Sequence, residues 1–361
     1  MRFTQIPNID SAWGNVKFTA LSPSTFSWVN RGCGYRVMLQ KMLTTFGEPS
    51  LSLPSNRNAI LGTIIHKIYE LTTKGELKSF PDLQHKWEEL VAIEKSKLAN
   101  TYPTLRNADI NDYVKRNSAF RYAMQMMRNT PNCTSDKDGA RQVFSEKWLD
   151  CSSLGLRGIA DKIIVDGDYF DIVDYKSGHV VDDAGNIKEE YCVQLHLYAA
   201  MCQTQSMGTP RKLLLIDIAG DYYDVPYDEA FCKSLLADVQ TVLSQLNQTV
   251  RSQDFVGYAK PELMMCANCG CRHICKYREI PPDSIFQTFT GIVKAVPSTN
   301  MYVLEVGTQT IYISGLNVYN VDSPKDYIGK SLTFVNVIRS SKIAGNNTYK
   351  TTEYTLVYEQ L

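Results

Sequence analysis

The chain has no surplus of charge of either sign. Its 361 residues carry 38 Lys and Arg against 38 Asp and Glu, so a nucleic-acid partner would be held by a local basic groove and not by overall charge. No apolar run approaches the roughly 18 residues that cross a bilayer. The segment Met1 to Trp13 lacks the basic-then-apolar order of a signal peptide. A cytoplasmic protein with no membrane partner is therefore expected. Repeats and low-complexity tracts are missing too. The triplet Gly329-Lys330-Ser331 is not a P-loop, because Pro324 stands where the leading glycine belongs. With no motor motif, a helicase is expected to be a separate chain.

What remains is long enough to bury a full core in two or three domains. Apolar residues recur at helical spacing through Ile60, Ile64, Ile65 and Ile68, and again through Trp87, Leu90, Val91 and Ile93, so residues 15–140 read mainly as helices. From residue 141 to 220 β-formers dominate, with strands expected at 141–149, 158–165, 169–176 and 212–218. A helix interrupts them at about 189–202, and a second, at about 228–252, leads towards a cysteine cluster in 259–278. Beyond Pro281 and Pro282 come short β-rich runs at 286–296, 301–306, 310–313, 331–339 and 353–358, with a short helix at 324–328. That order suggests a small all-β, OB-like barrel over 285–361, following a unit of residues 1–280.

The ten cysteines suit a reduced protein. Cys133, Cys151, Cys192, Cys202 and Cys232 stand singly among apolar neighbours, as small buried hydrophobes do. Cys266, Cys269, Cys271 and Cys275 differ, since four thiols so close together call for a chemical role. Cys266, Cys269 and Cys275 form C-x2-C-x5-C and leave one ligand position open. Cys271 could close a zinc knuckle, but ligands at 269 and 271 would be cramped around a tetrahedral ion; a distant fourth ligand fits better.

The stretch Asp171-Ile172-Val173-Asp174-Tyr175-Lys176-Ser177-Gly178 is the most informative. In a strand Asp174 and Lys176 share one face and Val173 and Tyr175 the other. A carboxylate there can hold Mg²⁺ or Mn²⁺, and the lysine can orient water and offset phosphate charge. An isolated Asp-x-Lys is far more often an edge-strand ion pair, so its context decides. Asp161, in Gly158-Ile159-Ala160-Asp161, is a lone acid in an apolar strand expected to form a hairpin with the next. Gly62, His66 and Glu70 share a helical face, as do Gln194 and Tyr198 at i and i+4.

Gly-x-x-x-His, Gly-x-x-Asp, Asp-x-Lys and Gln-x-x-x-Tyr, in that order, resemble the RecB-like nucleases of the PD-(D/E)XK superfamily, over roughly residues 20–278. The resemblance implies an α/β restriction-endonuclease-like core. It also implies a metal-dependent deoxyribonuclease, with His66, Asp161, Asp174 and the Tyr175 carbonyl on Mg²⁺ or Mn²⁺. Lys176 would be the catalytic lysine, with Gln194 and Tyr198 positioning substrate and site. Asp174 stands where many relatives have glutamate; both are hard oxygen donors.

Ser22 to Cys33 is similar to the N-terminal segment of the iron-sulfur members, such as the nuclease subunit of AddAB-type helicase-nucleases (AddB) and the CRISPR adaptation exonucleases. By that likeness Cys33, Cys266, Cys269 and Cys275 hold a [4Fe-4S] cluster and Cys271 is spare; Zn²⁺ is the alternative, since tetrathiolate sites suit either metal. The implied activity is exonucleolytic, on single-stranded DNA or free ends, in repair, recombination or antiviral defence. Helicase or defence-complex subunits would be its partners. The alternatives are a catalytically inactive DNA-binding scaffold and a restriction-type endonuclease. In the barrel, Tyr302, Tyr312, Phe334, Arg339, Lys342 and Tyr349 are candidates for stacking and gripping a single strand.

Overall fold

The computed structural model describes residues 2–129, 141–281, 283–316, 321, 323–340 and 347–361; Cys133 and Lys342 lie outside them. The first half is helical, as its spacing predicts: α1 Pro23–Arg31, α2 Gly34–Thr45, α3 Arg57–Thr73, α4 Phe80–Thr101 and α5 Tyr113–Asn129. Local chemistry starts these helices. Ser22, Asn56 and Ser79 each accept a hydrogen bond from a backbone N–H of the first turn, and prolines stand at the start of α1 and α4. The second apolar stripe is narrower than its sequence suggests, with Trp87 and Val91 buried and Ile93 exposed.

A five-stranded sheet follows, from β2 Arg141–Cys151, β3 Leu156–Asp166, β4 Tyr169–Lys176, β5 Thr209–Asp217 and β6 Tyr222–Val225, in the order β2-β3-β4-β5-β6. β3 and β4 form the expected hairpin, with Lys162 opposite Val173. β4 and β5 are parallel, and α6 Glu189–Thr204 makes the crossover between them. Both faces of the sheet are covered, which is why β4 is buried over Phe170 to Tyr175. Phe170 and Ile172 pack on the layer of α1, α6 and α7 Glu229–Ser252, while Val173 and Tyr175 pack on that of α3, α4 and α5. A short α8, Leu263–Ala267, carries the first cysteine of the late cluster.

The C-terminal strands are β7 Gln287–Ser298, β8 Met301–Val306, β9 Gln309–Ser314, β10 Ser331–Arg339, β11 Thr348–Lys350 and β12 Leu356–Gln360. Neighbours run β7-β8-β9-β11-β10, and β10 pairs back onto β7, so these five close into a barrel. β9 and β11 are parallel, and a 3-10 turn at Pro324–Tyr327 lies between β9 and β10. This is the expected OB-like order. The run expected at 353–358, however, becomes β12, which begins later and lies outside the ring, while the strand that closes the barrel is the short β11. A further strand, β1 Thr4–Ile6, pairs in parallel with β12, Thr4 opposite Tyr358. The chain's first residues, expected within the unit of residues 1–280, thus extend the barrel sheet.

Three barrel aromatics are not a stacking surface. Tyr302 and Phe334 are fully buried, their ring centroids 5.9 Å apart, and Tyr349 is buried against Phe289 at 4.5 Å. Alternate residues of a closed sheet point inward, and these fall on the inward phase. Tyr312 is half-buried and Arg339 exposed.

Candidate active site

β4 ends with the two groups the sequence singled out. Lys176 Nζ lies 2.6 Å from Asp174 Oδ2 and donates to Gln194 Oε1 at 2.8 Å, while Gln194 Nε2 donates to Asp174 Oδ1 at 3.0 Å. Acid, lysine and amide therefore hold one another in a closed ring, with the lysine ammonium also over the Tyr191 ring at 4.4 Å. Asp174 is 3% exposed. Burial raises its pKa, Lys176 opposes that, and the charge of Asp161 adds to the rise.

Asp161 faces Asp174 across the hairpin, one position past the Lys162–Val173 pair. Its Oδ2 accepts the Tyr175 N–H at 2.7 Å, and its Oδ1 lies 3.3 Å from His66 Nδ1. Burial disfavours the His66 imidazolium, but Asp161, Asp174 and Glu146 outweigh it and lift the pKa to about 9. Glu70, on the same helical face as His66, plays no part here: it is clamped by Lys67 and Lys74 at 2.6 and 2.5 Å.

The unforeseen member is Glu146. His66, Glu146 and Asp161 each offer a donor atom, and these lie within 4.8 Å of one another. Donors about 2.0–2.4 Å from one hard cation stand within about 4.8 Å of each other, so this set fits a divalent ion. Glu146 stands opposite Asp161, between the registered pairs Ser145–Lys162 and Lys147–Ala160, and has a left-handed backbone, φ 50°. Asp161 charge and burial raise its pKa, with burial the larger cause. In the sequence it looks like any solvated strand acid.

The glycines of the motifs let helices approach. A Cβ on Gly158 would sit 3.1 Å from Pro23 Cδ and 3.2 Å from Tyr198 Cε1; one on Gly62 would sit 3.1 Å from Ser177 Oγ. Tyr198 donates from its hydroxyl to the Ile159 carbonyl, fastening α6 to the strand that bears Asp161.

The chain's two distant cysteine regions also meet. Cys33, at the start of α2, lines one cavity with Cys266, Cys269 and Cys275, beside Arg36 and Arg272. Cys271 is buried outside that lining, its Sγ 3.9 Å from the Arg36 carbonyl oxygen and its N–H donating to Cys269 Sγ at 3.4 Å. The hydrogen bond from Cys271 and the nearby arginines hold the Cys269 thiol below the usual cysteine range despite its burial.

A hairpin with facing carboxylates, an Asp-x-Lys strand end and a Gln-bearing crossover helix thus meet at one site whose donors suit a divalent metal. Residues 20–276 match the family described as the PD-(D/E)XK nuclease superfamily, and the chain belongs to it. Its members use divalent metals. Over 165 residues, 43% of the chain, it is 27% identical to a component of an ATP-dependent helicase/nuclease from Exiguobacterium sibiricum, a RecB-like relative of which the match spans 14%. Among the described residues, no helix is long and apolar enough to cross a membrane.

Proposed function

We propose that the protein is a Mg²⁺- or Mn²⁺-dependent deoxyribonuclease that trims single-stranded DNA or DNA ends. The observation that carries this reading is the convergence of His66, Glu146 and Asp161 beside the Asp174–Lys176–Gln194 ring. His66, Glu146 and Asp161 would hold the ion, and the resemblance adds Asp174 and the Tyr175 carbonyl as ligands although the converging donor set does not include Asp174; a bound divalent cation would supply Lewis-acid stabilisation of charge on the phosphoryl oxygens. Lys176, at the strand end, orients the attacking water and offsets charge on the scissile phosphate. Gln194 fixes both partners of that ion pair, and Tyr198 holds the strand beneath. A mixed imidazole and carboxylate donor set suits Mn²⁺ better than Mg²⁺. The intact set speaks against an inactive scaffold.

The cysteine cavity supports a [4Fe-4S] cluster over zinc. Cys33 comes from the chain's start to line the cavity with Cys266, Cys269 and Cys275 while Cys271 stays outside it, a long-range four-thiolate set and not a local knuckle. Incubating end-labelled single-stranded, duplex and closed circular DNA with Mn²⁺, Mg²⁺ or chelator tests the whole reading. Metal-dependent shortening of labelled ends is expected; cutting of closed circles at defined sites would indicate an endonuclease, and no cleavage in any arm would refute nuclease activity.

A further inference from the structure

The hairpin that bears the metal set continues beyond it. Two residues past Glu146 and Asp161, towards the β2–β3 turn, Trp148 stands opposite Ile159, and two further on Asp150 stands opposite Arg157. The intervening Leu149, Gly158 and Ala160 point the other way, into the layer of α1 and α6. Trp148 is 56% exposed and Ile159 46% exposed. A large apolar pair is thus left open to solvent roughly 7 Å from the metal donors, at about 3.3 Å of rise per residue, a span of one or two nucleotides at 3.4 Å each. The other tryptophans do not offer such a surface: Trp13 and Trp87 are buried, and the Arg36 guanidinium covers the Trp28 ring at 4.3 Å.

We propose that Trp148, backed by Ile159, is a stacking platform for an unpaired nucleobase of the strand whose phosphodiester enters the metal site. This rests on the nuclease reading and names its substrate: the ring face of a base is available only where it has left a duplex stack. The sequence of rungs matches a nucleotide's own layout, with carboxylates for the metal and scissile phosphate, then an apolar face for the base. The exposed Arg157, 3.1 Å from Asp150, follows for the next phosphate. A base-sized apolar surface continuous with the phosphodiester site is occupied by the substrate strand itself. It contributes affinity without choosing between bases, since each has a π face.

The test uses the full chain and oligothymidylate. In Asp174→Asn protein, chosen so that bound DNA is not cut, binding should quench tryptophan emission. That quench should vanish on adding Trp148→Ala, with Kd weakened about 5- to 150-fold, the range for loss of one stacked base. In the cleaving protein the same change should act mainly on KM. Trp148→Phe should restore binding, and Tyr169→Ala, an exposed aromatic on β4, should change nothing. Unchanged Kd in Trp148→Ala, or no recovery with phenylalanine, overturns the platform. Loss of Mn²⁺ binding in Trp148→Ala would overturn it as well, by showing that the ring only props the site. Failure of the wild-type protein to cleave any DNA would instead count against the nuclease reading, while the quenching titration still decides the platform.

Discussion

Replacing Asp174 with alanine separates the chemical and structural roles of the site. The sequence by itself suggests a harmless strand-end change that abolishes cleavage and spares the fold. The structure corrects that expectation. Asp174 and Lys176 side chains are 5% and 15% exposed, and the acid carries both the ammonium and the Gln194 amide. Removing it leaves a nearly buried cation with one neutral oxygen and one ring face as partners, a loss of about 3–5 kcal/mol. For a domain of this size that is a fall of roughly 6–20 °C in Tm, at about 2–4 °C per kcal/mol. Asp174→Asn keeps the volume and an acceptor, so its fall should be about 1–3 kcal/mol, while cleavage is still lost. The double change Asp174→Leu with Lys176→Met removes both charges and should melt near the wild type, since apolar replacement of a buried pair is often neutral. Differential scanning calorimetry with an end-labelled cleavage assay measures all three. An Asp174→Ala protein that melts like the wild type, or one that still cuts DNA, refutes the reasoning.

Other outcomes follow from the same geometry. Glu146→Ala should weaken Mn²⁺ binding at least tenfold, read by calorimetric titration, and leave folding intact because the residue lies in no apolar core. In chelator, the metal-free protein should lose stability as pH rises from about 6.5 to 9. The folded-state pKa of His66 is raised to about 9, so its contribution is fully present below the unfolded value and disappears as pH passes through the folded one. Mn²⁺ affinity should rise over that window, because the metal takes the neutral imidazole. Cys33→Ser should release the iron of anaerobically purified, brown protein and lower its Tm, whereas Cys271→Ser should keep the iron; stoichiometric zinc in elemental analysis would overturn the cluster.

Legibility depended on whether a residue's role was written in local pattern. Tyr169-Phe170-Asp171-Ile172-Val173-Asp174-Tyr175-Lys176 is so rich in aromatic and β-branched residues that its strand is observed with the expected bounds. Asp161, His66 and Gln194 were recognisable because each sits at a fixed offset within one element. Glu146 was not, because what makes it a donor is a left-handed backbone and a cross-strand neighbour fifteen residues away. β1 was missed for a related reason. Three residues carry no readable period, and their pairing partner lies at the opposite end of the chain. The barrel aromatics show the converse failure: composition marked Tyr302 and Phe334 as exposed rings, whereas the phase of β8 and β10 turns them inward.

The same long-range pairing alters what the barrel is for. Cutting the chain at residue 285 looks harmless from the sequence, since every nuclease motif lies upstream. Yet Ile6, Val335, Leu356 and Tyr358 belong to the core that also holds α2, α7 and Cys271. Arg272 and Arg278, which line the cysteine cavity, donate to Asn336 Oδ1 at 2.6 Å and to Thr290 Oγ1 at 2.9 Å. Removing 285–361 would take one acceptor from each of those two desolvated guanidinium groups, leaving them only backbone carbonyls of 269–275, and expose several buried apolar side chains, each worth about 1.5–3 kcal/mol. Truncation should therefore unfold or aggregate the cysteine region and not simply weaken DNA binding. The cleaner probe of strand binding by the barrel is the surface pair Tyr312→Ala with Arg339→Ala, which leaves that interface alone. Weaker single-strand affinity at unchanged Tm would assign the barrel to DNA, and unchanged affinity would leave it as the clamp that holds the two ends of the chain around the cysteines.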